Sequence, residues 1–485
     1  MPLKGPLEIP EIVDHVALYL EKKDNASCVS VSKSWRDMFL PHRWRVVCVN
    51  VMHHGDPLGY FGPELDAIRK HRHLIHELSL IRELTRFSED RYPNLRKLTV
   101  NFDGVRRESK QIVSLNLTEM FPSLVELTLV SVEVALASWV ALAAHPHIKT
   151  LRLWNIEVMA ADTPEFWRAC ANLQVLDTNR LIIKQYRRIP EDVEFHQLRK
   201  LHLGSADNTD MAVQKDLILR SSTLEILEWN HDNYWTDQEQ PLFNQPLQNK
   251  HWPHLSNLNI GYPLHDGDLA CIIKSAGRDV GGMTKLRLVG CKFGTQTHKA
   301  LELHFSNLVS LDLSWCFTLT SAATRDLLCC CPKLEVLLAR SVYAEDIAEG
   351  GPWLCQQIRR LAICFRFEDL NPDLHQLIFK RLSTLVQLEY LGLDIPYDDD
   401  ENDDCVLLFR LDWGMEQLAT LQQLKSFSFD TDMVERYTPQ LGMDEVVWMM
   451  EHWKKLKRVS GPFNRDPRIS AQIRSAFESH GITTR

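Results

Sequence analysis

The chain has 485 residues, of which 45% are apolar and 25% charged, an ordinary globular balance with ample material for a large core. Its formal charge is −9, and the absence of a strongly basic stretch argues against a general binder of nucleic acid or anionic membranes. The 12 cysteines include no Cys-x-x-Cys pair, and Cys329, Cys330 and Cys331 are consecutive, a poor geometry for a disulfide or a zinc site. Reduced, buried thiols of this kind fit the cytoplasm or the nucleus. Met1 to Leu20 lacks the basic flank and apolar run of a signal peptide, and no stretch reaches the ~20 apolar residues of a membrane span.

In chain order, the first expected element is a helix opened by Pro10, whose missing N–H has no intrahelical partner at that position. Ile12, Val13, Val16 and Leu20 form its apolar stripe. Asp24 is the expected N-cap of a second helix, on which Cys28, Val31 and Trp35 share one face until Pro41 stops it. About forty residues of short helix make a thin core, so the module should borrow apolar burial from a partner or from the next domain. The helical pattern alone leaves a cap and a partner-binding module equally open.

Ile9-Pro10-Glu11-Ile12-Val13, Val16, Leu20, Asp24 and Val31-Ser32-Lys33-Ser34-Trp35-Arg36, followed by Pro41 and Trp44-Arg45, closely resemble the F-box motif over roughly residues 6 to 48. Asn25 and Arg43 depart from it, each standing where the family carries an apolar residue. The resemblance implies binding to the small SKP adaptor, which links such modules to a cullin scaffold. It places Leu7, Ile9, Pro10, Val13, Val16, Leu20, Val31 and Trp35 at that interface or just beneath it.

From about residue 74 one phrase recurs: apolar, two variable, apolar, one variable, apolar. Leu95-x-x-Leu98-x-Val100, Leu124-x-x-Leu127-x-Leu129, Ile148-x-x-Leu151-x-Leu153, Leu198-x-x-Leu201-x-Leu203 and Leu308-x-x-Leu311-x-Leu313 are clear copies, with weaker ones at Leu74, Leu173 and Met283. Many starts lie 24 to 26 residues apart, as at 148, 173, 198 and 224, which is the leucine-rich-repeat period. The last two apolar positions share one face of a short strand, so each copy should add a parallel strand with a return segment behind it. Ala135, Trp139 and Leu142, and likewise Ala323, Leu327 and Cys330, have the spacing of helical returns. The repeat from Leu308 through Cys316 to Leu334 resembles the cysteine-containing subtype that commonly accompanies an F-box, with Cys291 at the matching place one repeat earlier.

Longer intervals hold two insertions. His231 to Lys250 contains Tyr234 and Trp235, and Asp398 to Asp404 is an acidic run that reads either as a solvated loop or as a contact for a basic partner. Ile469, Ile473, Ala476 and Phe477 define a closing helix. The expected fold is therefore α/β: an all-α F-box over 1–50, a linker or N-terminal cap over 51–72, and a curved leucine-rich-repeat solenoid with a parallel concave sheet and convex helices over 73–485.

No phosphate-binding glycine loop, dinucleotide turn or His-Glu-x-x-His is present, and His71 with His73 or His145 with His147 is too sparse for zinc. The expectation is a non-catalytic chain with no cofactor or metal, whose recognition surface is the variable strand positions. These give Lys97, Thr99, Asn101, Thr150, Arg152, Trp154, Val175, Asp177, Asn179, Lys200 and His202, then Glu228, Asn230, Arg287, Asp312, Arg340, Asp394 and Asp430. The substrate-binding candidates are Arg152, Trp154, Asp177, His202, Glu228, Asn230, Arg287, Asp312 and Arg340, with Trp154 the sharpest because Trp is enriched at binding hot spots. By resemblance the function is substrate recognition for an SCF-type cullin ubiquitin ligase. The alternative is an adaptor-binding scaffold without a ligase role.

Overall fold

The computed structural model describes residues 9–51, 60–61, 65–82, 87, 90–104, 112–113, 116–184, 188–204, 211–230, 252–261, 263–369, 371–393, 405–429 and 441–484. Leu7, Asp394, Asp430, the insertion His231 to Lys250 and the acidic run 398–404 lie outside them, as does the side chain of Pro10. The chain divides into two units, Met1–Leu224 and Glu225–Arg485, so the break falls inside the single array expected from residue 73.

The first unit begins with three helices, α1 (Pro10–Ala17), α2 (Lys22–Val31) and α3 (Lys33–Arg45). Pro10 opens α1 as its chemistry dictates. Three local expectations are corrected. Glu21, not Asp24, is the N-cap of α2; Asp24 sits three residues in, and its carboxylate accepts the Glu21 N–H at 3.3 Å, the reciprocal arm of a capping box. Val31 and Trp35 do not share a helix, because Ser32 is extended (φ −160°) and its hydroxyl accepts the Trp35 N–H at 3.1 Å to start α3. Pro41 does not stop α3. An interior proline removes one intrahelical hydrogen bond and costs roughly 3 kcal/mol, but the last turn is anchored by Trp44, which is buried and stacked on His71 at 4.7 Å.

The strand Val46–Val51 follows α3 directly and pairs in parallel with Glu77–Ile81. The sheet therefore starts inside the segment assigned to the N-terminal module. The parallel ladder continues through Lys97–Asn101, Glu126–Val130, Thr150–Val158, Val175–Ile183 and Lys200–Leu203. The helix Leu65–His71 occupies part of the 51–72 linker.

Each apolar phrase becomes a buried column. Leu95, Leu124, Ile148, Leu173 and Leu198 pack at the turn into the strands, while Leu98, Leu127, Leu151, Leu176 and Leu201 point inward from them. The returns include helices Leu136–Ala144, Thr163–Ala171 and Met211–Arg220. Behind the sheet, Trp139, Phe166, Trp167 and Phe195 make successive edge-to-face contacts at 5.0, 4.7 and 6.2 Å.

The second unit repeats the plan. Strands Ile226–Asn230, Asn257–Gly261, Lys285–Val289, Ser310–Trp315, Val336–Tyr343, Arg360–Phe367, Tyr390–Gly392, Ser426–Ser428, Arg458–Ser460 and Thr483–Thr484 pair in parallel in that order. Helix Ser321–Cys330 is the expected return after Leu313. Pro467–Ser479 closes the unit with Ile473 and Phe477 buried, and one further strand follows it. Cys291 and Cys316 are buried thiols; Cys316 Sγ donates to the Leu288 carbonyl at 3.4 Å, and burial raises its pKa well above that of an ordinary thiol. Both units are thus mixed α/β with one parallel strand and one return segment per repeat, the architecture of a leucine-rich-repeat solenoid.

Candidate functional site

Two surfaces carry the candidate residues. On the N-terminal module the internal core is small: Val13, Ala17 and Phe39 are buried, with Leu20, Cys28, Val29, Trp35 and Met38 packed against them. Trp35 lies over Phe39 at 5.3 Å. Helix α1 is tied to α3 by Asp14 and His42, 2.8 Å apart, and to α2 by Asn25. Asn25 is buried, and its amide donates to the Leu20 carbonyl at 3.4 Å, just past the end of α1. Its departure from the motif thus has a structural role in joining two helices. Arg43 is exposed. Of the motif positions, Val13 lies in the core, Leu20 and Trp35 are half-buried against it, and Ile9, Val16 and Val31 remain exposed. Ile12, Leu18 and Tyr19 are exposed with them, Tyr19 to 78%.

The second surface is the outward face of the strands. In the first unit, Arg152, Asp177 and His202 occupy the same level of three neighbouring strands. They are not separate contacts but one chain of charges. Lys97 Nζ lies 2.9 Å from Glu126, Arg152 bridges Glu126 and Asp177, and His202 Nδ1 lies 3.0 Å from Asp177. Cross-strand pairs of opposite charge stabilise the sheet by a few tenths of a kcal/mol to ~1 kcal/mol each. Trp154, one level further along, is 43% exposed between Val130 and Asn179 in register.

Just past that level the backbone turns left-handed at non-glycine residues, Ser131 (φ 54°), Asn155 (φ 54°) and Arg180 (φ 55°), with Arg82 (φ 62°) at the equivalent place after Glu77–Ile81. Asn155 Nδ2 donates to Ser131 Oγ at 2.9 Å, bracing two of these kinks. The kink resets the alternation, so Ile156 and Val158, and beside them Leu181 and Ile183, turn inward again.

In the second unit Glu228, Asn259, Arg287 and Asp312 align across four strands. Arg287 Nε pairs with Asp312 at 3.0 Å, and Asp312 also accepts the Ser314 hydroxyl at 2.7 Å. Asn230 leans over Gly261, where a Cβ would sit 2.8 Å from its Oδ1. Arg340 is a correction. A register shift between Leu338 and Ser341 turns it inward to 8% exposure, where it donates to the Phe317 carbonyl at 2.8 Å and lies 4.8 Å from the Phe317 ring. A shift in the preceding strand brings out Trp315 instead, which the regular spacing does not mark. It is 45% exposed, with Phe317 set edge-on at 6.4 Å. The tripeptide Ser314-Trp315-Cys316 was the available signal, since a Trp beside a buried cysteine must point away from the core.

Among the described residues, no three His, Cys, Asp or Glu side chains converge to hold a metal, and no helix is long and apolar enough to cross a membrane. His145 is buried, its Nε2 donates to the Phe121 carbonyl at 3.0 Å, and burial lowers its pKa.

No protein family's sequence profile matches the chain, and no curated protein matches it. Among solved structures it is similar to an internalin (inlF) from Listeria monocytogenes str. 4b F2365, at 13% identity and a TM-score of 0.40, over 84% of this chain and 91% of that one. The repeat assignment rests on this chain's own strand register and buried columns. Such stacks present an open face of variable side chains suited to binding other proteins.

Proposed function

We propose that this chain is the substrate-recognition subunit of an SCF-type cullin ubiquitin ligase, holding the SKP adaptor with its N-terminal helices and a target protein with its repeats. The observation that carries the reading is the exposed apolar set Ile9, Ile12, Val16, Leu18, Tyr19 and Val31 on a module whose own core is only a few side chains deep. Single exposed apolar residues are ordinary, but six on so small a unit suit a protein partner. The resemblance to the F-box motif implies that this partner is the SKP adaptor. The chain itself performs no transfer in this scheme; it raises the local concentration of target lysines beside the conjugating enzyme.

Titration of purified adaptor into the full chain tests the first half. Micromolar or tighter binding that Val16→Asp with Val31→Asp abolishes, with the circular dichroism unchanged, supports the proposal. Wild-type affinity in that double variant would remove the module from the interface.

A further inference from the structure

The strands of the first unit are led into by one residue each, and these residues form a row. The Arg45 carbonyl accepts from the His76 N–H (2.9 Å), His76 from Arg96 (2.8 Å), Arg96 from Val125 (2.8 Å), Val125 from Lys149 (2.9 Å), Lys149 from Gln174 (2.8 Å) and Gln174 from Arg199 (2.9 Å). The backbone therefore fixes their spacing. Arg45, Arg96, Lys149 and Arg199 fall on alternate strands, all four are exposed, and no member of the row is acidic. Neighbouring strands are ~4.8 Å apart, which sets successive cations about 10 Å from one another.

Three of the row's four cations are not spent within the fold. Glu126, beside it, is engaged by Lys97 and Arg152. Arg45, Arg96 and Lys149 take part in no salt bridge among the described residues. At one end Arg45, His76, Arg96 and Lys97 line a cleft of about 750 Å³ between the helical module and the sheet, with Asp14, Glu77 and Glu126 as its acidic members. Burial, together with Arg45 and Arg96 beside it, lowers the His76 pKa, consistent with two guanidinium groups gathered there.

We propose that this edge of the first unit, carrying Arg45, Arg96, Lys149 and Arg199 on alternate strands, binds an extended acidic segment of a partner protein with carboxylates at every third residue. An extended chain rises ~3.1 to 3.3 Å per residue, so every third side chain recurs at about 10 Å. In polyproline II geometry those side chains also share one face. Duplex nucleic acid fits less well: its phosphates form two closely spaced rows, and the chain's net charge of −9 opposes a large polyanion. The proposal stands on the repeat edge and is independent of the adaptor assignment.

Fluorescence anisotropy with the full chain tests it. The probe is a labelled peptide of about a dozen residues with Glu at every third position in a Pro/Ser background. One control has the same composition with the Glu residues grouped, and another is a single-stranded oligonucleotide of similar length. The expected result is preferential binding of the spaced peptide, weakening with salt and falling about tenfold or more in Arg96→Glu with Lys149→Glu. Both positions are exposed, and Arg96→Gln with Lys149→Gln should give a smaller loss in the same direction. Absence of binding, equal binding of spaced and grouped peptides, tighter binding of the oligonucleotide, or an unchanged affinity in the charge-reversed variant would each overturn the proposal.

Discussion

Asp266 couples one repeat to the next, and its removal should be felt as lost cooperation between them. Its Oδ1 accepts the N–H groups of Gly294 and Thr297, both at 2.9 Å, and its Oδ2 accepts that of Gln296 at 3.1 Å, across 28 to 31 residues of sequence. It therefore caps the N-terminus of helix Thr295–Leu301 from the preceding return helix, Asp266–Ser275. Gly294 is required for that approach, since a Cβ there would lie 2.5 Å from the carboxylate. Loss of a cap costs ~0.5–2 kcal/mol, and this one is charged and accepts three donors, so Asp266→Ala should cost about 2 kcal/mol and Asp266→Asn about 1. Gly294→Ala should cost about 1 to 2 kcal/mol by displacing the carboxylate. The double variant should cost little more than Asp266→Ala alone, because both changes remove one interaction. Burial raises the Asp266 pKa, but the hydrogen bonds from Thr297, Gln296 and Gly294 outweigh it and hold it below the ordinary value. The stabilisation is then present above the unfolded carboxylate pKa and is lost as pH falls through the folded one, so the deficit of Asp266→Ala should shrink in acid. Urea midpoints of the wild-type chain and the four variants, followed by tryptophan fluorescence, measure all of this. Strictly additive costs, or a wild-type midpoint for Asp266→Ala, would refute the coupling.

Other consequences follow from the same geometry. Phe39→Ala removes the largest side chain of the core it forms with Val13 and Ala17, a change worth ~3–5 kcal/mol in a core; hydrogen exchange should show residues 10–45 unprotected while Lys97–Asn101 stays protected. His304 is buried with Nδ1 accepting the Met283 N–H at 3.1 Å and Nε2–H donating to the Ile273 carbonyl at 2.9 Å, a neutral tautomer with no place for a second proton. Burial lowers its pKa, so its contribution is present above the unfolded histidine value and lost as pH falls below it. Urea midpoints should therefore drop between pH 7.5 and 5, and His304→Gln should flatten that dependence. Trp154→Ala should leave thermal stability within ~0.5 kcal/mol of wild type, as surface changes do, yet reduce recovery of the target in affinity purification.

Much of the repeat body was legible because a leucine phrase at fixed spacing leaves the strand no other way to face; even the weak copies at Leu74, Leu173 and Met283 lead into paired strands. What escaped the spacing was whatever broke its regularity. Arg340 and Trp315 exchange their expected orientations because the strands carrying them slip register, and a slip of one residue inverts a side chain. The left-handed residues Ser131, Asn155 and Arg180 carry no glycine to announce them. Arg152, Asp177 and His202 were visible singly as outward residues, but their pairing depends on which strands lie side by side. In the helical module Pro41 and Ser32 misled for opposite reasons. The proline is tolerated because Trp44 anchors the turn beyond it, whereas a serine unmarked by any glycine or proline ends one helix and begins the next.

The central claim is membership of a cullin ligase through the N-terminal helices. Affinity purification of the full chain under native conditions, beside Val16→Asp with Val31→Asp, tests it most directly. The account predicts that the wild-type chain recovers the SKP adaptor together with a cullin and that the variant recovers neither. Adaptor without cullin, or both proteins retained by the variant, would contradict it.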